Sequence, residues 1–335
     1  MKRVAVNGMG RIGRLVVRSL LGCEDVELVA VNDIASMETI AYLLAHSTEY
    51  GALGTSVSFD EDASVLMIGD NAVKAFREAD ASALPWCELD IDVVLECSGA
   101  YCSHAKAQAH IEAGAKKVLI SAAAGSDVPT VVHGINDSIL TDSNDIVSAA
   151  SCSTVGLAPF AQALNRVAPI QQGIATTIHA LTPSQMTLDD AQSKGNLRRS
   201  RTASENIIPT TAAFAKAVGL VLPELQGRLS GYAIRIPVTR GSLITLYAVV
   251  SYGDEGTLDV EKLNELMHGQ ESWMFGYTDE ELVSSDIAGT DLYSIFDATQ
   301  TKVSPLDDGY LVEVAAWFDN ETSYVSQFVK LLHSL

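Results

Sequence analysis

Cys152 stands in the run Ser148-Ala149-Ala150-Ser151-Cys152-Ser153-Thr154, between a β-branched stretch at 146–148 and a helical pattern that begins near Val155. A cysteine at a helix N-terminus has its thiolate stabilised by exposed backbone N–H groups and the helix dipole, which makes an ordinary thiol a usable nucleophile. A lone cysteine is more often a small buried apolar residue, so the flanks carry the reading. His179 closes a second strand-like stretch, 173–178, where a side chain projects into a cleft. A histidine beside a reactive sulfur can hold the thiolate as an ion pair and later exchange protons with the reacting oxygen. Seven histidines are present, and only the context singles out this one.

A second constellation lies at the N-terminus. Gly8-Met9-Gly10-Arg11-Ile12-Gly13 directly follows the apolar run Val4-Ala5-Val6 and opens a helical pattern, and Asp33 stands 20 residues beyond Gly13. Such glycines permit a tight turn, close approach of backbone N–H groups to a pyrophosphate, and tight helix–strand packing. Strand, turn, helix and acid together meet the full context of a dinucleotide site. A carboxylate at Asp33 accepts hydrogen bonds from an adenosine ribose and repels a 2′-phosphate, which favours NAD over NADP. Its structural alternative is an N-cap for the helix near Met37. Ser98, Gly99 and Ser121 follow two further strands, where doubly wound sheets place ligand loops, although turn chemistry explains them equally well.

The elements that must position these residues are legible as alternation. β-Branched runs at 3–7, 27–32, 93–97, 118–121 and 146–148 alternate with helical patterns at 11–21, 37–45 and 103–113, the signature of parallel βαβ units. After about residue 150, long strand-like stretches at 173–179, 231–237, 243–252 and 309–318 surround helical patterns at 155–165 and 210–218. The expected fold is α/β: a Rossmann-type doubly wound domain over 1–149, then an α+β domain over 150–320 with a large mixed or antiparallel sheet. A final helical pattern within 321–335 is expected to pack back on the first domain.

Composition sets the outer bounds. The 335 residues suit two domains, and a formal charge of −20 argues against polyanionic partners such as nucleic acid or anionic lipid. No apolar run approaches a membrane span and no leader-like segment opens the chain, so a cytoplasmic protein is expected. Five cysteines without paired spacing predict reduced thiols and no metal site.

The segments NGMGRIGR, VND at 31–33, ASCST around Cys152, TTIHALTPSQ at 176–185, LRRSRTASENIIPTT at 197–211, KAVGLVLPEL, IRIPV and FDNET occur in order along the chain. In these it resembles the glyceraldehyde-3-phosphate dehydrogenase family, including its sister group, the erythrose-4-phosphate dehydrogenases. The resemblance implies a homotetramer that oxidises a small phosphorylated aldehyde with NAD, Cys152 being the nucleophile and His179 its acid–base partner. It implies cofactor contacts from Gly8, Gly10, Arg11, Ile12, Gly13, Asp33, Ser98, Gly99 and Ser121, with Asn320 on the nicotinamide carboxamide and Tyr324 beside the ring. It implies substrate contacts from Ser151, Ser153, Thr182, Ser184, Arg199 and Arg235. By charge pattern alone Arg198, Arg199 and Arg201 would be a solvated loop. In so acidic a chain, guanidinium groups near the nucleophile are better explained by an anionic substrate.

Three departures from the family's usual pattern bear on the reaction. Val155 stands where an amide is usual, Ala212-Ala213 replaces a Thr-Gly pair associated with the attacking phosphate, and the loop 186–196 lacks a customary proline near the cofactor. The first expectation is phosphorylating oxidation of glyceraldehyde 3-phosphate to 1,3-bisphosphoglycerate, with inorganic phosphate as second substrate. The alternatives are a hydrolytic erythrose-4-phosphate dehydrogenase, favoured by Ala212-Ala213 and TQTKVS at 299–304, and a weakly active NAD-binding regulatory paralogue, motivated by Val155.

Overall fold

The computed structural model describes every residue except 193–195, 212 and 254–255. The chain divides into two compact units, one comprising Met1–His133, Asp137–Ala150 and Phe328–Leu335, the other Gly134–Asn136 and Ser151–Gln327.

The first unit is built on an eight-stranded sheet. Its order is Ile146–Ser148, Lys117–Ile120, Val93–Glu96, Lys2–Asn7, Val26–Asn32, Asn71–Phe76, Val65–Ile68, Val57–Asp60. The first six strands pair in parallel, and the last two close as an antiparallel meander. Val4, Ala5, Val6, Val93, Val94 and Leu95 are all at most 1% exposed, as central parallel strands covered on both faces must be. Strand order reverses between Lys2–Asn7 and Val93–Glu96, and the loops after these two strands are where such sheets bind ligands. The meander over 57–76 was not expected: its strands are short and half exposed, and of the three only Val65–Ile68 carries an unbroken apolar run.

The second unit holds a seven-stranded mixed sheet in the order Ile208–Thr211, Leu229–Arg235, Ile170–His179, Ser242–Val250, Tyr310–Phe318, Ser294–Pro305, Phe275–Thr278. The helix Cys152–Val167 is buried along most of its length. Gly156 lets it approach closely, since a Cβ there would lie 2.9 Å from the Phe318 ring. The helix expected over 210–218 begins instead at Phe214, because Ile208–Thr211 is a strand. Ile208, Thr210 and Thr211 are β-branched, and Pro209 is tolerated because this strand lies at the sheet edge, paired only with Leu229–Arg235. The long strand Ser294–Pro305 also escaped the periodicity, its C-terminal half being largely polar and exposed.

Candidate active site

In the first unit the three glycines of the N-terminal turn have different reasons to be glycine. Gly8 has φ +94°, and a Cβ there would sit 2.3 Å from the backbone N of Ser98. A Cβ on Gly13 would lie 2.0 Å from the Gly8 carbonyl oxygen. These two glycines serve packing. Gly10, the residue that precedes the helix Arg11–Leu20, has an ordinary φ of −67° and nothing within 4 Å of its would-be Cβ. The space it keeps open lies at a helix N-terminus, where Arg11 and Ile12 begin the first turn, and suits a pyrophosphate.

Gly8, Gly10, Asp33 and Ser98 line one cleft of about 390 Å³, together with Asn32 and Tyr101, a volume within the range of small-ligand sites. Asp33 accepts from the Met9 N–H at 2.6 Å and the Ala35 N–H at 2.9 Å, which leaves lone pairs for a ribose. It does not cap the following helix. Ser36 does, accepting from the Thr39 N–H at 3.2 Å. Arg14 is spent on the turn itself, donating to the Met9 carbonyl at 2.7 Å.

Beneath this cleft lies a buried network that sequence reasoning missed. Glu96 is 1% exposed and accepts from Asn7 Nδ2 and from both the N–H and the hydroxyl of Ser98. Trp86 Nε1 donates to His110 Nδ1, so the His110 proton sits on Nε2 and is donated to Glu96 at 3.1 Å. The signal was an acid closing the apolar run Val93-Val94-Leu95. The Ser98 hydroxyl proton is thus committed inward, and Gly99, at φ +74°, turns the chain out of the strand. Ser121 bonds the thiol of half-buried Cys97, which desolvation pushes up to about 12. Neither Gly99 nor Ser121 is among the residues lining the cleft.

In the second unit Cys152 is the first residue of its helix. Ser151 precedes it as N-cap, accepting from the Thr154 N–H at 3.2 Å and sharing a hydroxyl–hydroxyl bond of 2.8 Å with Thr154. Cys152 Sγ lies 3.4 Å from His179 Nε2. Burial raises the thiol pKa, against which the Arg235 charge and hydrogen bonds from the Ser153 side chain and backbone act. Burial, then Arg235, push the imidazole down to about 3. Both directions favour the uncharged form of each group.

His179 Nδ1 has two neighbours of opposite demand. It lies 2.7 Å from the Ala180 carbonyl oxygen, an acceptor, and also contacts Arg235 Nη1, a donor that itself reaches Ala180 O at 2.9 Å. With its proton on Nδ1 the ring offers Nε2 as a base toward the sulfur; with Nδ1 accepting from Arg235 it offers an Nε2–H. Both tautomers are accommodated. The ring is held edge-on to Phe318, centroids 5.8 Å apart.

Arg199, read from charge pattern as a loop cation, is instead fixed in a polar cluster. Its Nε donates to Thr210 Oγ1 and its Nη1 to Ser184 Oγ, both at 3.1 Å, and Ser184 lies 3.0 Å from the Thr182 hydroxyl. The positive charge of Arg199 lowers the pKa of both His179 and Arg235, and burial brings Arg235 down to about 10. Both guanidinium charges thus act on His179. Thr210 was missed because its stretch read as helix. Asn320 and Tyr324 are 4% and 3% exposed, and Asn320 Oδ1 accepts from Ser242 Oγ at 3.2 Å.

Two of the departures now have a structural context. Val155 is 1% exposed, packed in the helix that carries Cys152. Ala213 precedes the helix Phe214–Val221, whereas Ala212 lies outside the described residues, as does part of the loop 186–196. Among the described residues no group of His, Cys, Asp or Glu could hold a metal ion, no helix is long and apolar enough to cross a membrane, and all five cysteines are free thiols.

Residues 2–104 match the model of the glyceraldehyde 3-phosphate dehydrogenase NAD binding domain, and residues 151–320 match that of the glyceraldehyde 3-phosphate dehydrogenase C-terminal domain. Curated glyceraldehyde-3-phosphate dehydrogenases are similar over nearly their whole length. That of Clostridium pasteurianum is 44% identical over 332 residues, covering 99% of this chain and 98% of the relative. That of Lactobacillus delbrueckii subsp. bulgaricus is 44% identical over 337 residues with the same coverage, and that of Streptococcus pyogenes is 41% identical over 331 residues, covering 98% and 97%. The chain belongs to the glyceraldehyde-3-phosphate dehydrogenase family.

Proposed function

We propose that the protein oxidises glyceraldehyde 3-phosphate to 1,3-bisphosphoglycerate with NAD and inorganic phosphate, through a thioester on Cys152. The observation that carries this reading is the contact of Cys152 Sγ with His179 Nε2 under the charges of Arg235 and Arg199. A sulfur nucleophile, an adjacent base and two cations suit an aldehyde that bears phosphate.

His179 Nε2 takes the thiol proton as sulfur adds to the aldehyde carbon, and returns it to the oxygen of the resulting thiohemiacetal. The same nitrogen then removes the hydroxyl proton while hydride leaves the carbon. NAD, when bound, supplies the hydride acceptor. In the first unit it would be held by the open turn at Gly10, the helix start at Arg11 and Ile12, and the Asp33 carboxylate; in the second, by Asn320 and Tyr324. A phosphate oxygen attacks the thioester carbonyl, the C–S bond breaks, and the acyl phosphate leaves with Cys152 as thiolate. Arg235 and Arg199, with Thr182, Ser184, Ser151 and Ser153, hold the phosphates.

Assembly as a homotetramer rests on the resemblance and on an apolar sheet face. Ile174, Tyr232, Tyr247 and Leu311 are each at least 40% exposed on the side of the seven-stranded sheet that the strand register gives them in common. Exposed apolar groups collected on one sheet face suit a second copy of the chain. A cytoplasmic location and the absence of nucleic-acid partners follow from charge and thiol usage.

The test is NADH formation with glyceraldehyde 3-phosphate or erythrose 4-phosphate, each with and without inorganic phosphate, and Cys152→Ala as control. Phosphate-dependent turnover of the triose is expected. Phosphate-independent turnover, or preference for the tetrose, would overturn the assignment.

A further inference from the structure

Three neighbouring strands of the eight-stranded sheet end in buried polar residues. Glu96 closes Val93–Glu96, Asn7 closes Lys2–Asn7 and Asn32 closes Val26–Asn32. Asn7 is the register partner of both Glu96 and Asn32, and Asn32 that of Phe76, the last residue of Asn71–Phe76. The three polar side chains are at most 4% exposed and bond along this row. Asn7 Nδ2 donates to Glu96 Oε2, and Asn32 Nδ2 donates to Asn7 Oδ1 at 2.7 Å and to the Glu78 carbonyl at 2.9 Å. The Glu78 N–H donates to Asn32 Oδ1 at 2.8 Å.

We propose that Glu96 is a positioning residue for the dinucleotide: its buried carboxylate fixes this row and, with it, the loops that line the cofactor cleft. The proposal rests on the reading of that cleft as the dinucleotide site and extends it to a residue that does not line it.

Backbone groups set the sense of the row. The Glu78 N–H can only donate and the Glu78 carbonyl only accept, so Asn32 turns Oδ1 to the first and Nδ2 to the second. Asn32 Nδ2 then requires an acceptor on Asn7, which must be Oδ1, and Asn7 Nδ2 is left facing position 96. Three more donors meet Glu96. Oε1 accepts from the Ser98 N–H at 2.7 Å and from the Ser98 hydroxyl, and Oε2 accepts from His110 Nε2 at 3.1 Å as well as from Asn7. Trp86 Nε1 can only donate, so His110 Nδ1 accepts and Nε2 carries the proton. A carboxylate accepts at both oxygens. An amide at position 96 would turn its NH₂ group toward either the Ser98 N–H or the His110 Nε2–H, leaving a buried donor mispaired.

The row is one side of a closed ring. With its proton given to Glu96, Ser98 Oγ accepts from the Ala100 N–H at 3.0 Å, which fixes the turn that leads to Tyr101. The Tyr101 hydroxyl donates to the Ala79 carbonyl at 2.8 Å and accepts from the Ala81 N–H at 2.9 Å. The loop after Val93–Glu96 is thereby fastened to the loop after Asn71–Phe76 from above, while the row fastens the same loops from below. Asn7, Asn32, Glu78, Ala79, Ser98 and Tyr101, all members of this ring, line the cleft. The Glu96–Asn7 bond crosses the point where strand order reverses, the place where such sheets bind ligands. A cleft held in its binding shape beforehand loses less freedom when the ligand arrives, so a mispaired Glu96 position lowers affinity without touching the ligand.

The experiment compares E96Q, N7D, the double variant E96Q/N7D and D33A by Kd for NAD from calorimetric titration and by the rate of Cys152 alkylation by iodoacetamide without NAD, with thermal melts of each. E96Q is expected to raise Kd about tenfold, the scale of one mispaired buried donor, while Cys152, in the other unit, is alkylated at the wild-type rate. N7D sets two carboxyl groups together and is expected to raise Kd at least as much. In the double variant the acid has moved to position 7. There it accepts from the new amide at 96, from Asn32 Nδ2, and from His110 Nε2, which lies 3.5 Å from Asn7 Nδ2. The double variant is therefore expected to bind NAD about tenfold more tightly than N7D, a gain from a second substitution that only coupled residues give. A wild-type Kd in E96Q, even with a lowered melting temperature, would make the role merely structural and overturn the proposal. So would a double variant no tighter than N7D, or alkylation that slows in step with affinity. Should E96Q not fold, H110A, which removes one of the donors and lines no part of the cleft, is titrated in its place, and a wild-type Kd again overturns the proposal. The underlying reading fails separately: a wild-type Kd in D33A refutes the cleft as the dinucleotide site, whereas a weakened D33A beside an unaffected E96Q refutes only the role of Glu96.

Discussion

Gly8 and Gly10 stand two residues apart in one turn, yet the same substitution should damage the protein in opposite ways. Alanine at position 8 must adopt φ near +94° and place its Cβ 2.3 Å from the Ser98 backbone. Left-handed backbone costs an L-residue about 1–2 kcal/mol, and forcing an extra carbon into a packed site adds about 1–3 kcal/mol. G8A should therefore lose about 2–5 kcal/mol, a large share of a normal folding free energy. At position 10 the backbone is already allowed for alanine and the Cβ meets nothing. A weaker N-cap costs a few tenths to about 1 kcal/mol, and the less flexible unfolded chain returns about 0.4–1 kcal/mol. G10A should melt close to wild type. Its Cβ fills the space left for the pyrophosphate, and loss of one or two charged N–H contacts at about 1.5–3 kcal/mol each predicts a rise of at least about tenfold in the NAD dissociation constant. Thermal melts without cofactor and calorimetric titration with NAD separate the two effects. If G10A melts as low as G8A, or binds NAD as tightly as wild type, the division of roles between these glycines is wrong.

Three further outcomes follow from the site. Because folded His179 is held down to about 3 against 6.5 in the free side chain, the unfolded chain binds the extra proton between these values, and stability falls as pH drops. At up to about 1.36 kcal/mol per unit, a slope reached only below the free value, lowering the pH from about 6.5 to about 4.5 costs roughly 2 kcal/mol that H179N should not show. Parallel stability–pH curves for the two proteins, from urea unfolding, would contradict this. S151A removes the acceptor of the Thr154 N–H and should lower stability by about 1 kcal/mol, read as a shift in urea midpoint at constant slope. R199K loses the paired contacts to Thr210 and Ser184 and should raise KM for the phosphorylated aldehyde about tenfold while KM for NAD stays put; an equal rise in both would place Arg199 outside the substrate site.

The parallel half of the fold was legible because its strands are buried on both faces and its turn glycines obey steric rules local in sequence. The place of Cys152 at a helix start was legible for a similar reason, since Ser151-Cys152 is a local capping motif. What escaped was decided at a distance. Thr210 looks helical beside KAVGLVLPEL, and becomes a strand residue only because Leu229–Arg235 offers a ladder. Ser242 carries no local signal: its two partners, Ala180 and Asn320, are 62 and 78 residues away. The spacing singled out Asp33, but its bond to Met9 and the handing of the cap to Ser36 depend on a turn geometry the spacing does not encode.

The acidity of the chain bears on how Cys152 and His179 would work in the proposed reaction. A net charge of −20 leaves few cations to spend, yet Arg235 and Arg199 both act on His179 and both lower its proton affinity. Taken alone this opposes catalysis, because the base must accept a proton. The opposition is confined to the empty site. A phosphate held by the two guanidinium groups cancels their field at the imidazole, so His179 becomes a stronger base when an anionic substrate is bound. The same anion removes some of the help that Arg235 gives the thiolate, but that help is needed only until sulfur has added to carbon. In the later step, when the hydroxyl proton must leave, no thiolate remains to be stabilised and the gain at His179 is uncompensated. A neutral aldehyde lacking phosphate would therefore be doubly disfavoured, by weaker binding and by a weaker base. That predicts a loss in kcat as well as a rise in KM for glyceraldehyde relative to its 3-phosphate, and free phosphate added in trans should restore part of the kcat in single-turnover NADH formation. If glyceraldehyde differs from its phosphate in KM alone, the guanidinium charges select the substrate without tuning the base.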